Sequence, residues 1–240
     1  MRALLIILFP VILFSCSNER PYPWLAELDS KEGFEESGRN LMAVKMGLNL
    51  LELSTKEETK ILIAVHGSNS RGYEWIYPLK TLDDDKTLTL FYRWDDGDCP
   101  NPSFLSLNNS IKKLIKENTK IEKVIIMGHS YGGLLVSMFA ERWKLNVPAE
   151  IHSVAGPLAG ISRLNLKCNY EKPNFISNNV EFFEWRTQKA LDNAYKDLET
   201  DPQTIDLEGS KVRRLPELYR GKRLGHNWSI SWVADEIKLQ

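Results

Sequence analysis

Little in this sequence leans toward one sign of charge: 31 lysines and arginines stand against 32 aspartates and glutamates over 240 residues, a formal net charge of −1. With no long basic stripe, nucleic acid is excluded as the main partner. The short cluster Lys211, Arg213, Arg214 reads as a solvated face. No His-Glu-x-x-His and no Cys-x-x-Cys occurs, so no zinc motif is present. The acidic run Asp95, Asp96, Asp98 lacks the spacing of a calcium loop and reads as a solvated loop. Neither a dinucleotide nor a phosphate-loop glycine pattern appears, nor any repeat or low-complexity tract. The expectation is a chain that works without a metal or cofactor.

Long apolar runs are missing as well. Ala3 to Phe14 is apolar but interrupted by Pro10, and it falls short of the roughly 20 residues that cross a bilayer. After Met1-Arg2 it suits a secretory signal. The junction Leu13-Phe14-Ser15-Cys16 resembles a bacterial lipobox, in which the cysteine takes lipid and becomes the new N-terminus; an ordinary signal peptide cleaved nearby is the alternative. Cysteine is scarce: Cys16, Cys99 and Cys168 are the three. With Cys16 lipidated, two remain for an oxidising compartment, so Cys99 and Cys168 are expected to pair. Ser17 to about Gly38 is polar, acidic and broken by Pro21 and Pro23, as a tether would be. The expected organisation is a signal peptide over 1–15, a lipidated N-terminus and tether over 16–38, and one domain over 39–240. The expected location is the cell envelope, with a membrane partner through the lipid.

Within the domain, short apolar runs are bounded by glycine, proline, asparagine or charge. Lys60–Val65, Leu88–Arg93, Lys123–Met127 and Val180–Trp185 stand out, with Ile151–Ala155, Val212–Leu215 and Gly47–Leu53 as weaker candidates. The first three show little alternation, as in strands buried on both faces of a parallel sheet. Helical spacing falls between them, over Ser110–Asn118, Leu134–Trp143 and Asn227–Leu239. Alternation of strand and helix predicts an α/β fold with a mainly parallel central sheet and helices on both faces. Gly156 to Asn179 is a long irregular stretch, either a small lid or a simple loop.

Gly128-His129-Ser130-Tyr131-Gly132-Gly133 lies between Lys123–Met127 and the helical stripe that begins at Leu134. A Gly-x-Ser-x-Gly between strand and helix places its serine on a sharp turn at the C-terminal edge of the sheet. Upstream, His66-Gly67 ends the Lys60–Val65 run. With both pieces, the sequence resembles the α/β-hydrolase family, in particular its compact lipases and esterases. The resemblance spans most of Ala43 to Gln240. It implies that Ser130 is a nucleophile and that the backbone N–H groups of Ser68 and Tyr131 form an oxyanion hole. The family's chain order is serine, acid, histidine. Of the four histidines, His66 suits the oxyanion loop, His129 sits in the turn pointing away from its neighbour, and His152 falls in a strand. His226 alone follows every plausible acid. Asp192 is the acid of choice, with Asp197 and Asp201 open and Asp206 too near the last strand; a helix over Thr187–Leu198 would count against Asp192. Trp94 and Trp228 are core residues or pocket walls.

The function expected is hydrolysis of carboxylic esters, small-molecule or lipid, through an acyl-enzyme on Ser130. A thioesterase or amidase on the same triad, or a non-catalytic binding lipoprotein with this fold, are the alternatives.

Overall fold

The structure, a computed structural model, describes residues 24–239. The signal peptide and Cys16 lie outside them. Seven strands form one sheet: β1 (Gly47–Leu50), β2 (Lys60–Val65), β3 (Thr87–Arg93), β4 (Lys123–His129), β5 (Ala149–Val154), β6 (Val180–Arg186) and β7 (Lys211–Arg214). Their order is β1-β3-β2-β4-β5-β6-β7. Only β1 runs antiparallel to its neighbour, β3; the remaining pairs are parallel.

The helices are α1 (Phe34–Met42), α2 (Tyr73–Leu82), α3 (Pro100–Glu117), α4 (Tyr131–Ser137), α5 (Phe139–Arg142), α6 (Ser162–Cys168) and α7 (Ser229–Lys238). Alternate strand residues feed two separate cores. Ile61, Ile63 and Val65 of β2 pack with α3, α4 and α5, through Phe104, Leu107, Leu135 and Phe139. Ala64 of β2, Phe91 and Met127 pack on the other face with α1, α2 and α7, through Leu41, Trp75, Ile76 and Val233. Both faces of the central strands are therefore buried, which is why β2 and β4 read as nearly unbroken apolar runs. A small hairpin, β8 (Leu218–Tyr219) with β9 (Lys222–Arg223), precedes α7.

One expectation is corrected. From Trp24 onward the stretch assigned to a tether is folded onto the domain. Leu25 and Leu28 are 5% and 2% exposed, and Leu25 N–H donates to Leu51 O at 2.8 Å. Leu25, Leu28 and Leu41 are spread among charged residues, so no apolar run announces them. The helix over Thr187–Leu198 that would have counted against Asp192 does not form: a single 3₁₀ turn, Lys189–Leu191, stands there, and Asp192 follows it in extended conformation. The helix α2 was not legible because Pro78 lies within it. It persists because Trp75, Ile76 and Leu79 bury their side chains against the sheet.

Candidate active site

β4 ends at His129, and α4 starts at Tyr131, leaving Ser130 alone at the turn with φ 54° and ψ −120°. A non-glycine residue in this region is strained by on the order of 1–3 kcal/mol and persists only where its surroundings over-determine it. Ser130 N–H donates to Val154 O at 2.8 Å and its own carbonyl accepts from Leu134 N–H. The turn is tight enough to need glycine on either side. A Cβ on Gly128 would stand 2.3 Å from Gly132 O, and one on Gly132 would stand 2.3 Å from Val65 O and 2.4 Å from His66 O.

The loop after β2 is shaped by His66, which is wholly buried. Its Nδ1 donates to Gly67 O at 2.8 Å, and its Nε2 accepts from Trp94 N–H at 3.2 Å and Arg93 Nη1 at 3.1 Å. Burial pushes this imidazole down to about 4, so it works as a neutral connector between the ends of β2 and β3. Trp94 Nε1 donates back to His66 O at 2.9 Å, which makes Trp94 core and not pocket wall. Ser68 follows, and among the described residues its N–H has no hydrogen-bond acceptor. Tyr131 is the first residue of α4, so its N–H lacks an intrahelical acceptor. Both residues line one cavity with Ser130.

Asp192 is fully buried, and His226 Nδ1 lies 2.8 Å from its Oδ2. The same oxygen accepts from Thr187 Oγ1, and Oδ1 accepts from Ala194 N–H at 2.8 Å. Burial works to raise this carboxyl, but the hydrogen bonds from His226, Thr187 and Ala194 outweigh it and hold the group below the ordinary range. A carboxylate on Nδ1 puts the ring proton there and leaves the Nε2 lone pair free to accept. Asp197 and Asp206 are exposed, whereas Asp201 is engaged with Gln203 and Arg214. Of the four aspartates weighed from sequence, the fold brings Asp192 to His226 and leaves the others away from it. His152 is a satisfied core residue, accepting from Trp185 Nε1 and donating to Glu150.

Several participants were invisible in the sequence. Thr187, the first residue past β6, and Gln203, which accepts Thr187 N–H at 2.7 Å, brace the carboxylate from behind. Tyr195 packs its ring edge-on to His226, with centroids 5.1 Å apart, and lines the cavity. The His129 ring packs against His226, a contact that the sequence did not announce.

The cavity measures about 660 Å³. Pro157, Ile161 and Leu164 supply its wall from the 156–179 stretch, and Ala194, Tyr195 and Leu198 supply it from beyond Asp192. Asp96 and Asp98 also line the cavity, and Asp96 Oδ2 accepts Asn69 N–H at 2.5 Å. Cys99 and Cys168 are joined in a disulfide with Cα atoms 5.4 Å apart, which fastens the end of α6 to the start of α3 beside the cavity.

Residues 62–220 match the sequence model of a family described as the alpha/beta hydrolase fold. No curated protein matches the sequence. Among solved structures, a thioesterase candidate from Silicibacter sp. TM1040 is similar with a TM-score of 0.55 and 15% identity, over 93% of this chain and 91% of that one. Est1E from Butyrivibrio proteoclasticus is similar with a TM-score of 0.53 and 14% identity, over 80% of this chain and 92% of that one. An α/β-hydrolase candidate from Agrobacterium tumefaciens gives 0.53 and 11%, over 81% and 91%.

Proposed function

The chain belongs to the α/β-hydrolase fold family, and on that premise we propose that it is a serine hydrolase cleaving carboxylic esters through an acyl-enzyme on Ser130. The observation that carries the reading is Ser130 held at φ 54° on the cavity wall, with the next residue back, His129, packed against a His226 that is bonded to a buried aspartate. His226 Nε2 takes the proton as Ser130 Oγ attacks the acyl carbonyl. Asp192 holds the ring in the accepting tautomer and stabilises the imidazolium without taking the proton. Backbone N–H groups of Ser68 and Tyr131 receive the developing oxyanion, each contributing on the order of 2.7–4 kcal/mol to the transition state. His226 then gives its proton to the leaving alcohol, and water, activated by the same base, releases the acid.

The test is labelling with a fluorophosphonate and turnover of p-nitrophenyl esters of rising chain length. Wild type is expected to label at Ser130 and hydrolyse, and Ser130→Ala to lose both, with turnover down on the order of 10⁶. Hydrolysis unchanged in Ser130→Ala would sink the assignment.

We further infer export and lipid anchoring through Cys16. The lipobox-like stretch Leu13–Cys16 supports it, as does a disulfide that suits an oxidising compartment.

A further inference from the structure

His129 immediately precedes the proposed nucleophile, and its ring is buried at the end of β4. Its Nε2 lies 3.0 Å from the backbone carbonyl oxygen of His226. A carbonyl only accepts, so Nε2 carries the proton and the imidazole is a donor. The two rings pack with centroids 4.8 Å apart, tilted by 53°. The same carbonyl accepts from Ser229 Oγ at 2.5 Å. The His226 backbone is thus gripped from the sheet by His129 and from α7 by Ser229.

The grip matters because His226 sits on the loop between β9 and α7, outside any regular element. Gly225 precedes it, and a Cβ there would meet nothing within 4 Å. The bond to Asp192 fixes the Nδ1 edge of the ring, the Tyr195 ring packs edge-on to it, and the His226 backbone is held separately. We propose that His129 is a positioning residue: by holding the His226 carbonyl, it keeps Nε2 of the base facing Ser130 while Nδ1 stays on Asp192. One strand end then sets both the nucleophile and the base, so the two are registered through a single residue step. A misplacement of about 1 Å between reacting groups costs on the order of 10²-fold in rate. Burial, and next the charge of His226, pushes His129 down to about 3, so it places no second positive charge beside the base. The inference rests on the Ser130–His226–Asp192 reading.

The test compares His129→Phe, which keeps a ring and loses the donor, with His129→Gln, whose amide Nε2 can reach the same carbonyl. Ser229→Ala removes the hydroxyl donor and leaves the Ser229 N–H, 3.4 Å from the same carbonyl. In His129→Phe, kcat is expected to fall about ten- to a hundredfold with KM within about twofold, and fluorophosphonate labelling to slow in step. His129→Gln is expected to recover most of the loss, and Ser229→Ala to show a smaller fall of the same kind. Thermal melts accompany each variant. Wild-type kcat in a folded His129→Phe would overturn the inference, as would equal impairment in His129→Phe and His129→Gln, which means packing alone. Should His129→Phe not fold, Ser229→Ala decides, and an unchanged kcat there overturns it. A wild type that neither labels nor hydrolyses would remove the functional reading and this inference with it, whereas an active wild type confines any failure to the role of His129.

Discussion

Asp192 and Asp197 are five residues apart on one chain segment, yet only the first is closed off from solvent and bonded to an imidazole. The difference arises from the 3₁₀ turn Lys189–Leu191, which ends in an extended Asp192 whose side chain points inward. Three donors converge on that carboxylate, from His226, Thr187 and Ala194. Replacing it by asparagine keeps the volume but permits the wrong His226 tautomer. Asp192→Asn is expected to lower kcat on the order of 10⁴-fold while the protein still melts cooperatively. Asp197→Asn is expected to leave kcat within about twofold of wild type. Ester-hydrolysis kinetics on the two variants checks this, and a reversed ranking would return the acid to its neighbours.

At the scale of elements, β3, next to the edge strand β1, holds a pair of carboxyls that do not line the cavity. Thr89 of β3 donates its N–H to Glu52 Oε1 at 2.6 Å and its hydroxyl to Asp83 Oδ1 at 2.6 Å. Burial pushes Glu52 up to about 7, and the nearby Asp83 adds to the shift. A carboxyl raised on folding binds its proton more tightly in the native state. The resulting stability is full below the ordinary value of 4.5 and is lost as pH rises through about 7. Glu52→Gln removes the titration. It is expected to melt level with wild type near about pH 5 and above it near about pH 8.5. Melting temperatures of both proteins across that range check the sign, and a constant gap between them would refute it.

Across the whole molecule, the Cys99–Cys168 disulfide joins residues 69 positions apart and ties α6, which helps line the cavity, to the start of α3. Its removal is expected to cost about 2–4 kcal/mol, several degrees in melting temperature for a chain of this size. Cys99→Ser and the double variant Cys99→Ser/Cys168→Ser should melt lower by the same amount, since either breaks the one bond. Equal melting of wild type with and without reductant would show that the bond contributes nothing. The anchor is tested separately: expressed in a bacterial host fed radiolabelled palmitate, wild type is expected to take up label and Cys16→Ser none. Label retained in Cys16→Ser would overturn lipidation at that residue.

What the sequence determined alone was local. Runs such as Lys60–Val65 and Lys123–Met127 became central strands because burial on both faces demands apolar residues at every position. Gly128-His129-Ser130-Tyr131-Gly132 was legible because the turn admits no Cβ at Gly128 or Gly132, so its residue types follow from its own backbone. The helices α1 and α2 escaped notice, one diluted by charge and the other interrupted by Pro78, because their stability comes from the sheet they cover. Which aspartate meets His226 was likewise open. Asp192, Asp197 and Asp201 carry the same chemistry on one stretch of chain, and their neighbours in sequence do not distinguish them. The packing of β6, the Thr187–Gln203 brace and the loop before α7 decides which one is buried against the imidazole, and these contacts span up to 34 residues. The same distance hid the role of His129, whose partner carbonyl lies 97 residues away and is brought near only when β4 and the last helix pack on one sheet.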